Sequence, residues 1–212
     1  SKYLGCYDRF RLLKVQAGLK WKHENGFEAF RRLYDGNGCD GILEWLRMIK
    51  EALPYRYAFP IIFQVLTGLR PGEAIEALNI IAERGLEGYF NPEFQVLEHF
   101  RFPKIFLRGT KNAFISVITP SLLEALKGWN GKASWNMLRS KLRREGIHIR
   151  LQELRSYYAT LLREAGIPSE SIDLLQGRIP PNVFARHYYK PAMTGLVARV
   201  KEALKPLEAG LL

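Results

Sequence analysis

The stretch Thr67-Gly-Leu-Arg-Pro-Gly-Glu-Ala74 carries the strongest local signals for the fold. Pro71 suits the first position of a helix, because its missing N–H would have no partner there. Glu73 falls in the first turn, where the helix dipole and free amides favour a carboxylate. Arg70 is therefore expected at the mouth of a helix, held between Gly68 and Pro71. A guanidinium beside free backbone N–H groups is suited to bind a phosphate. The same pattern also fits an ordinary joint between two helices with an exposed arginine.

The composition indicates a folded and strongly basic domain. The chain has 212 residues, of which 47% are hydrophobic and 12% aromatic, and this is enough apolar material to build a core. Lysine and arginine number 32 against 21 acidic residues, which gives a formal net charge of +11. Such an excess makes nucleic acid the first candidate partner. The alternative is a basic protein whose charge only solvates its surface.

Cysteine and histidine usage excludes several other classes. Cys6 and Cys39 can form neither a disulfide scaffold nor a paired metal-ligand spacing. The four histidines are far apart in the sequence, so we expect no metal and no other cofactor. The most apolar stretch, residues 55–69, contains Arg56 and Gln64 and falls short of the roughly 18 residues that a membrane span needs. No membrane partner is expected.

Apolar spacing predicts a mainly helical chain on both sides of the opening stretch. Ser134 and Ser169 are expected to cap helix N-termini, and Gly146 and Gly166 to end helices. The predicted helices cover residues 6–22, 27–34, 40–53, 54–67, 71–78, 120–128, 134–145, 151–165, 169–176 and 191–205.

One segment is rich in β-branched and aromatic residues instead. The runs 104–107 and 114–118 are separated by the basic sequence Arg108-Gly-Thr-Lys-Asn112. This arrangement predicts a β-hairpin with a basic turn. The expected fold class is mainly α with a small antiparallel β-hairpin or sheet.

Residues 132–155 carry seven basic side chains against only Glu145 and Glu153. On a helix this charge suits a face that contacts DNA phosphates, and it equally suits a solvated face. Five of the seven are our candidates for holding DNA, and we call them the basic run: Arg139, Lys141, Arg143, Arg144 and Arg150.

Two further pieces of sequence complete the pattern. In Gln152-Glu-Leu-Arg155 the glutamine and the arginine are three residues apart and share one helix face. Leu174-Leu-Gln-Gly-Arg178 is followed, ten residues after its arginine, by Tyr188 and then by Tyr189. Each piece alone is a weak signal.

In order and spacing, these pieces together resemble the catalytic domain of tyrosine recombinases (integrases), from about residue 40 to residue 190. That family carries a Thr-Gly-Leu-Arg-x-x-Glu motif, a hairpin lysine, His-x-Leu-Arg, Leu-Leu-Gly-His and a nucleophilic tyrosine. This chain departs from it at Gln152 and Arg178, which stand where the family has histidines. Both departures are similar to archaeal virus and plasmid integrases of the fusellovirus type.

The resemblance implies a phosphoryl transfer that needs neither metal nor nucleotide. A tyrosine attacks a DNA phosphodiester, forms a 3′-phosphotyrosyl bond and releases a 5′-hydroxyl, which later reverses the step. Arg70, Arg155 and Arg178 would neutralise the charge that builds on the phosphorus, and Glu73 would orient Arg70 or serve as a helix-dipole carboxylate.

The same resemblance implies the roles of the proton donor and the nucleophile. Lys111 in the hairpin turn is the expected donor to the departing 5′-oxygen, and Lys104 is its competitor. Tyr188 is the expected nucleophile, with Tyr189 as the alternative. Gln152 occupies a catalytic position but can act neither as an acid nor as a base.

The resemblance also implies a domain organisation and a set of partners. Residues 39–190 form the catalytic domain, and residues 1–38 are a helical segment or a linker from a missing DNA-clamping domain. The tail, residues 191–212, is an amphipathic helix that docks on a neighbouring protomer or folds back on its own domain. The substrate is double-stranded DNA at attachment sites. The recombining assembly is a homotetramer, although the isolated domain can be monomeric, and the expected location is cytoplasmic, at the nucleoid.

Two rival functions remain at this point. One is a type IB topoisomerase-like activity, which shares the chemistry but reseals a single duplex. The other is a catalytically inactive, DNA-binding relative, which the departures at Gln152 and Arg178 keep open.

Overall fold

The computed structural model describes residues 41–109, 111–179, 188 and 190–212, with four isolated positions nearer the N-terminus. The chain divides into two units, Ser1–Asn37 and Gly38–Leu212, and every element named below belongs to the second unit. The helices predicted over residues 6–22 and 27–34 lie almost entirely outside the described residues. The isolated positions are helical, namely Leu13, Gln16, Gly26 and Phe27.

The described part of the second unit is mainly helical with short antiparallel strands, which confirms the predicted fold class. The helices are α1 Ile42–Ala52, α2 Tyr55–Thr67, α3 Pro71–Arg84, α4 Pro103–Phe106, α5 Pro120–Lys127, α6 Trp135–Arg144, α7 Glu153–Glu164, α8 Ser169–Leu175 and α9 Met193–Leu211. The strands are β1 Phe90–Asn91, β2 Val96–Glu98, β3 Leu107–Arg108, β4 Lys111–Asn112 and β5 Ile115–Val117, with a 3₁₀ turn at His99–Arg101.

Helix α2 is the centre of the core. Its residues from Tyr57 to Thr67 are all buried, because α1, α3, α7 and α9 pack around it. Such an all-round apolar helix is typical of a position without a solvent face. Helix α1, by contrast, buries one stripe that includes Ile42 and Leu46. The central helix ends at Gly68, and this brings the opening stretch of sequence to the edge of the core.

The turn from α2 to α3 requires a glycine. Gly68 has a φ of 66°, and a Cβ added there would lie 2.3 Å from the ring of Tyr158. Pro71 begins α3 as predicted. The predicted end at residue 78 is too early, because Ile80 and Ile81 continue the buried face.

The β region differs from the hairpin that the sequence predicted. A strand over residues 104–106 is wrong, since Pro103 begins the short helix α4 there. Proline fixes φ near the helical value and lacks an N–H for a ladder bond, so it favours this turn. The hairpin is reduced to β3 and β4, with Arg108 opposite Lys111. Strand β5 pairs instead with β2, in the order β1-β2-β5.

A buried histidine supports this sheet. The Nδ1 atom of His99 lies 2.6 Å from the Tyr89 hydroxyl, and its Nε2 lies 2.8 Å from Oγ of Ser116 in β5. Burial lowers the pKa of His99 to about 3, so the ring is neutral at physiological pH. The ring also packs against Phe106, the last residue of α4.

The expected helix ends are largely confirmed. Ser134 caps α6 by accepting from the backbone N of Met137, and Gly146 and Gly166 adopt left-handed φ values where helices end. Ser169 as a cap is wrong. Pro168 holds that position, and its carbonyl accepts the first amides of α8, which leaves Ser169 as the first helical residue.

The C-terminal helix α9 packs against other elements of its own domain. It buries Leu196, Val200, Leu204 and Leu207 against α1, α2, α7 and β5. It also runs to Leu211, well past the predicted end at residue 205, because the apolar spacing continues. No helix in the described residues is long and apolar enough to span a bilayer.

Candidate active site

Arg70 is fixed at the start of α3 by its own helix. Its backbone N and its Nη1 donate to the two carboxylate oxygens of Glu73, at 3.0 and 2.7 Å. Nη1 also donates to the carbonyl of Asn112 on the hairpin, at 3.1 Å. Glu73 is only 1% exposed, whereas Arg70 is part-exposed. The guanidinium of Arg70 is thus anchored by the buried Glu73 and is still partly exposed to solvent.

Glu73 connects the helix to the hairpin as well. Nη2 of Arg108 lies 3.5 Å from the same carboxylate, and Arg108 stands opposite Lys111 in the hairpin register. Sequence reasoning missed Arg108. The available signal was its position at the start of the basic turn that also contains Lys111.

Arg155 is held by main-chain carbonyls. Its Nη1 donates to the carbonyl of Gly68 at 2.8 Å, and its Nη2 donates to the carbonyl of Gln176. Burial, and then the nearby positive charges of Arg70 and Arg178, lower the pKa of Arg155 to about 10. The side chain remains charged at neutral pH. The carbonyls that hold Arg155 lie two residues before Arg70 and two residues before Arg178, and we call these three arginines the arginine cluster.

The loop after α8 closes the cluster against the hairpin. Gly177 has a φ of 68°, and a Cβ added there would lie 1.8 Å from the carbonyl oxygen of Asn112. Arg178 follows directly, and its side chain is 59% exposed with Nη1 3.4 Å from Asp173 Oδ1. The backbone of this loop therefore touches the same carbonyl that receives Arg70.

The two candidate lysines lie on different elements. Lys111 is exposed on β4, one residue before the Asn112 carbonyl that receives Arg70. Lys104 is exposed on the short helix α4. The hairpin contact thus brings Lys111 into the neighbourhood of the arginine cluster.

Gln152 lies at the start of α7, on the wall of a pocket of about 450 Å³. Two members of the basic run line the same pocket. Arg139 lies over the ring of Trp135, with its Cζ 5.8 Å from the centroid, and Arg150 pairs with Glu153 through Nε and Nη2 at 2.9 and 2.6 Å. The structure thus groups Gln152 with these two side chains.

The other three members of the basic run lie on α6 but do not line this pocket. Lys141 forms an ion pair with Glu145 and lies 5.8 Å from the centroid of the Tyr57 ring. Arg143 and Arg144 are exposed, and Nε of Arg144 donates to the carbonyl of Ser140 at 3.3 Å. Lys141 thus has a partner on α2, whereas Arg144 is held by a carbonyl of its own helix.

Tyr188 is found at the entrance to the C-terminal helix. It is 71% exposed and lines a pocket of about 340 Å³ together with Ser171, Lys190 and Arg199. Arg199 is itself held by the carbonyl of Gly166 at 2.5 Å. The neighbouring Tyr189 lies outside the described residues.

The described residues contain no group of three or more His, Cys, Asp or Glu side chains arranged to hold a metal ion. What they do contain is a set of fixed cations beside a short basic hairpin on a helical domain. This combination is compatible with the catalytic domain of a DNA integrase and suits an anionic, phosphate-bearing substrate.

A family comparison makes the assignment definite. The family model described as archaeal phage integrase matches residues 41–197, which is most of the chain, and the protein belongs to this family. The resemblance to integrases that the sequence motifs indicate is thereby confirmed. Comparison with curated proteins and with solved structures gives no significant match.

Proposed function

We propose that this integrase is a tyrosine recombinase, which cleaves and rejoins duplex DNA through a covalent 3′-phosphotyrosine to integrate or excise a viral or plasmid genome. The observation that carries the proposal is the arginine cluster, in which Arg155 donates to carbonyls two residues before Arg70 and two residues before Arg178, while Arg70 donates to the hairpin. The roles proposed below for the nucleophile, the proton donor and the DNA-binding residues follow from the chemistry that such a cluster would serve.

The arginine cluster would stabilise the pentavalent phosphorane. Arg70 and Arg155 are already fixed by Glu73 and by three main-chain carbonyls, so their reorientation costs little when charge develops on the phosphate. A guanidinium has five N–H donors, so contacts to these acceptors leave others for phosphate oxygens. Arg178, which is more exposed, would close on the DNA as a third cation.

Proton movements would involve the hairpin and solvent. As the Tyr188 oxygen attacks phosphorus, the bond to the 5′-oxygen breaks, and Lys111 would give that oxygen a proton. Lys104 remains the alternative donor. The phenolic proton would leave to water, because Tyr188 is largely exposed. Gln152 and Arg178 can donate hydrogen bonds to the phosphate but cannot serve as a base.

The basic run would hold the DNA backbone on both sides of the reacting phosphate. Arg139, Lys141, Arg143, Arg144 and Arg150 offer five positive charges on and beside α6. We assign residues 39–190 to the catalytic domain and residues 191–212 to a tail. The recombining species is proposed to be a homotetramer on two duplexes, and residues 1–38 the link to a DNA-clamping domain.

The test is covalent capture. The protein is incubated with a pool of nicked duplexes that trap the cleaved state, and complexes that survive SDS are isolated and mapped by mass spectrometry. We expect a DNA adduct on Tyr188, lost in Tyr188→Phe and kept in Tyr189→Phe. An adduct that persists in Tyr188→Phe would overturn the assignment of the nucleophile.

The same assay separates the rival functions. Relaxation of supercoiled DNA without strand exchange would identify a topoisomerase-like enzyme. Salt-sensitive DNA binding without any covalent product would identify an inactive relative, which the glutamine at position 152 favours because it cannot exchange a proton.

A further inference from the structure

Gln176 is an amide side chain buried at the junction of two helices. It follows α8 directly, its backbone N donates to the carbonyl of Ile172 at 2.9 Å, and it is only 2% exposed. Burying an amide is costly unless its hydrogen bonds are replaced. An apolar side chain of similar size would fill the space without that cost, so the bond that the amide makes is informative.

That bond returns to the arginine cluster. Nε2 of Gln176 donates to the carbonyl of Arg155 at 2.9 Å, while the carbonyl of Gln176 accepts from Nη2 of Arg155. The side chain of each residue thus donates a hydrogen bond to the main-chain carbonyl of the other. The Arg155 carbonyl lies inside α7 and has a second lone pair for this bond.

The consequence of this two-way contact is geometric. It fixes the distance between α7 and the loop after α8, and that loop supplies one of the two carbonyls that hold the Arg155 guanidinium. The next residue, Gly177, lies against the carbonyl of Asn112, which receives Arg70. Gln176 and Gly177 therefore contact the groups that hold Arg155 and Arg70.

We propose that Gln176 is a positioning residue for Arg155 in DNA cleavage. The proposal rests on the proposed function, because it takes Arg155 as a group that stabilises charge on the phosphate. Gln176 itself touches no reacting atom. It holds the plane of the guanidinium, and a small misplacement of such a group costs up to about 10²-fold in rate.

The experiment replaces Gln176 with leucine, which keeps the size and removes the donor. Single-turnover cleavage of a nicked duplex is compared with cleavage of the same duplex carrying a neutral methylphosphonate at the reacting position. We expect Gln176→Leu to slow cleavage of the ordinary phosphate by about 10- to 100-fold, with DNA affinity changed less than about threefold. The loss on the methylphosphonate should be at least several-fold smaller, because less charge needs stabilising there.

Gln64 provides a matched control. It is buried to the same extent, and its Nε2 donates to a main-chain carbonyl, that of Leu151, at 2.7 Å. Gln64→Leu therefore removes the same kind of bond away from the guanidinium. Any loss of cleavage in this variant should be equal on the two substrates.

A second measurement covers the case in which Gln176→Leu folds poorly. Gln176→Met, whose flexible side chain adapts to the space, is combined with Arg155→Lys in a double-mutant cycle. We expect the methionine to cost little once the guanidinium is gone. Equal losses on both substrates, or full additivity in the cycle, would overturn the role of Gln176 and leave the proposed function intact. Absence of any covalent product with the unaltered protein would overturn both.

Discussion

The arginine cluster and the basic run both present positive charge, but the chain holds the two in different ways. In the cluster, Arg70 and Arg155 are fixed by Glu73 and by carbonyls from three separate segments. In the basic run, Lys141 pairs with the exposed Glu145 just after its helix, and Arg144 donates to the carbonyl of Ser140. Exposed pairs of that kind contribute little to stability. We expect that geometry matters in the cluster, whereas on the exposed face of α6 the amount of charge matters.

Gly177→Ala tests whether the cluster depends on its close contact with the hairpin. The added Cβ would lie 1.8 Å from the Asn112 carbonyl, at a φ of 68°, and backbone cannot move aside cheaply. We expect a loss of about 4 kcal/mol or more in the free energy of unfolding, measured by chemical denaturation. Gly166→Ala is the control, because φ is 76° there but an added Cβ would meet nothing outside its own chain neighbours within 4 Å, and it should cost about 1–2 kcal/mol. Similar losses in the two variants would contradict the contact.

Acid should weaken the three-stranded sheet β1-β2-β5, which His99 supports. The pKa of His99 is about 3 in the folded protein, against about 6.5 unfolded, so the unfolded chain binds the extra proton between these values. Stability from the neutral ring is complete above pH 6.5 and is lost as the pH falls towards 3. The difference corresponds to roughly 5 kcal/mol, at about 1.4 kcal/mol per pH unit.

The sheet and helix α6, which carries most of the basic run, should respond differently to acid. Amide hydrogen exchange at pH 4–5 should show lost protection in β2 and β5 before α6. A His99→Gln variant should be less stable at neutral pH and should lose less stability on acidification than the unaltered protein. An identical acid dependence of the two proteins would show that His99 is not responsible.

Replacing arginine with lysine in both regions separates geometry from charge. Arg155→Lys keeps the charge but loses the planar fork that reaches two carbonyls at once. We expect cleavage to fall by about 10²–10³-fold, measured in a single turnover with saturating protein. Arg143→Lys on the exposed face of α6 should change the same rate by less than about twofold. A large effect of Arg143→Lys would mean that the basic run also positions the reacting phosphate.

The sequence predicted the parts of this architecture that depend on local pattern. The helices with long apolar stripes, such as α1 and α9, were found because burial repeats every turn. The pairing of β5 with β2 was not, because a ladder between distant segments leaves no signal in either strand. Pro103 did carry a signal, because proline favours the first position of a helix. That signal contradicts the strand predicted over residues 104–107.

The same limit applies to the candidate site. The three arginines could be picked out by the order of their motifs, and their catalytic roles stay predictions. Arg70 and Arg155 are held mostly by main-chain carbonyls, at Gly68, Asn112 and Gln176. Every residue has such a carbonyl, so no residue type marks these partners. Gln176 and Arg108 were missed for the related reason that their importance depends on which carbonyl or carboxylate the fold brings to them.

The smallest expected effect tests whether the basic run contacts DNA phosphates at all. Arg144 is exposed near the end of α6, and each phosphate contact releases about one counterion from DNA. Arg144→Ala should reduce the slope of log K against log salt by about 1 and weaken binding equally for all sequences, with cleavage of bound DNA unchanged. Lys127→Ala is the control, because Lys127 is exposed on α5 and pairs with Glu124 at 2.7 Å. An unchanged slope in Arg144→Ala would assign that part of α6 to solvent and leave DNA holding to the side chains beside Gln152.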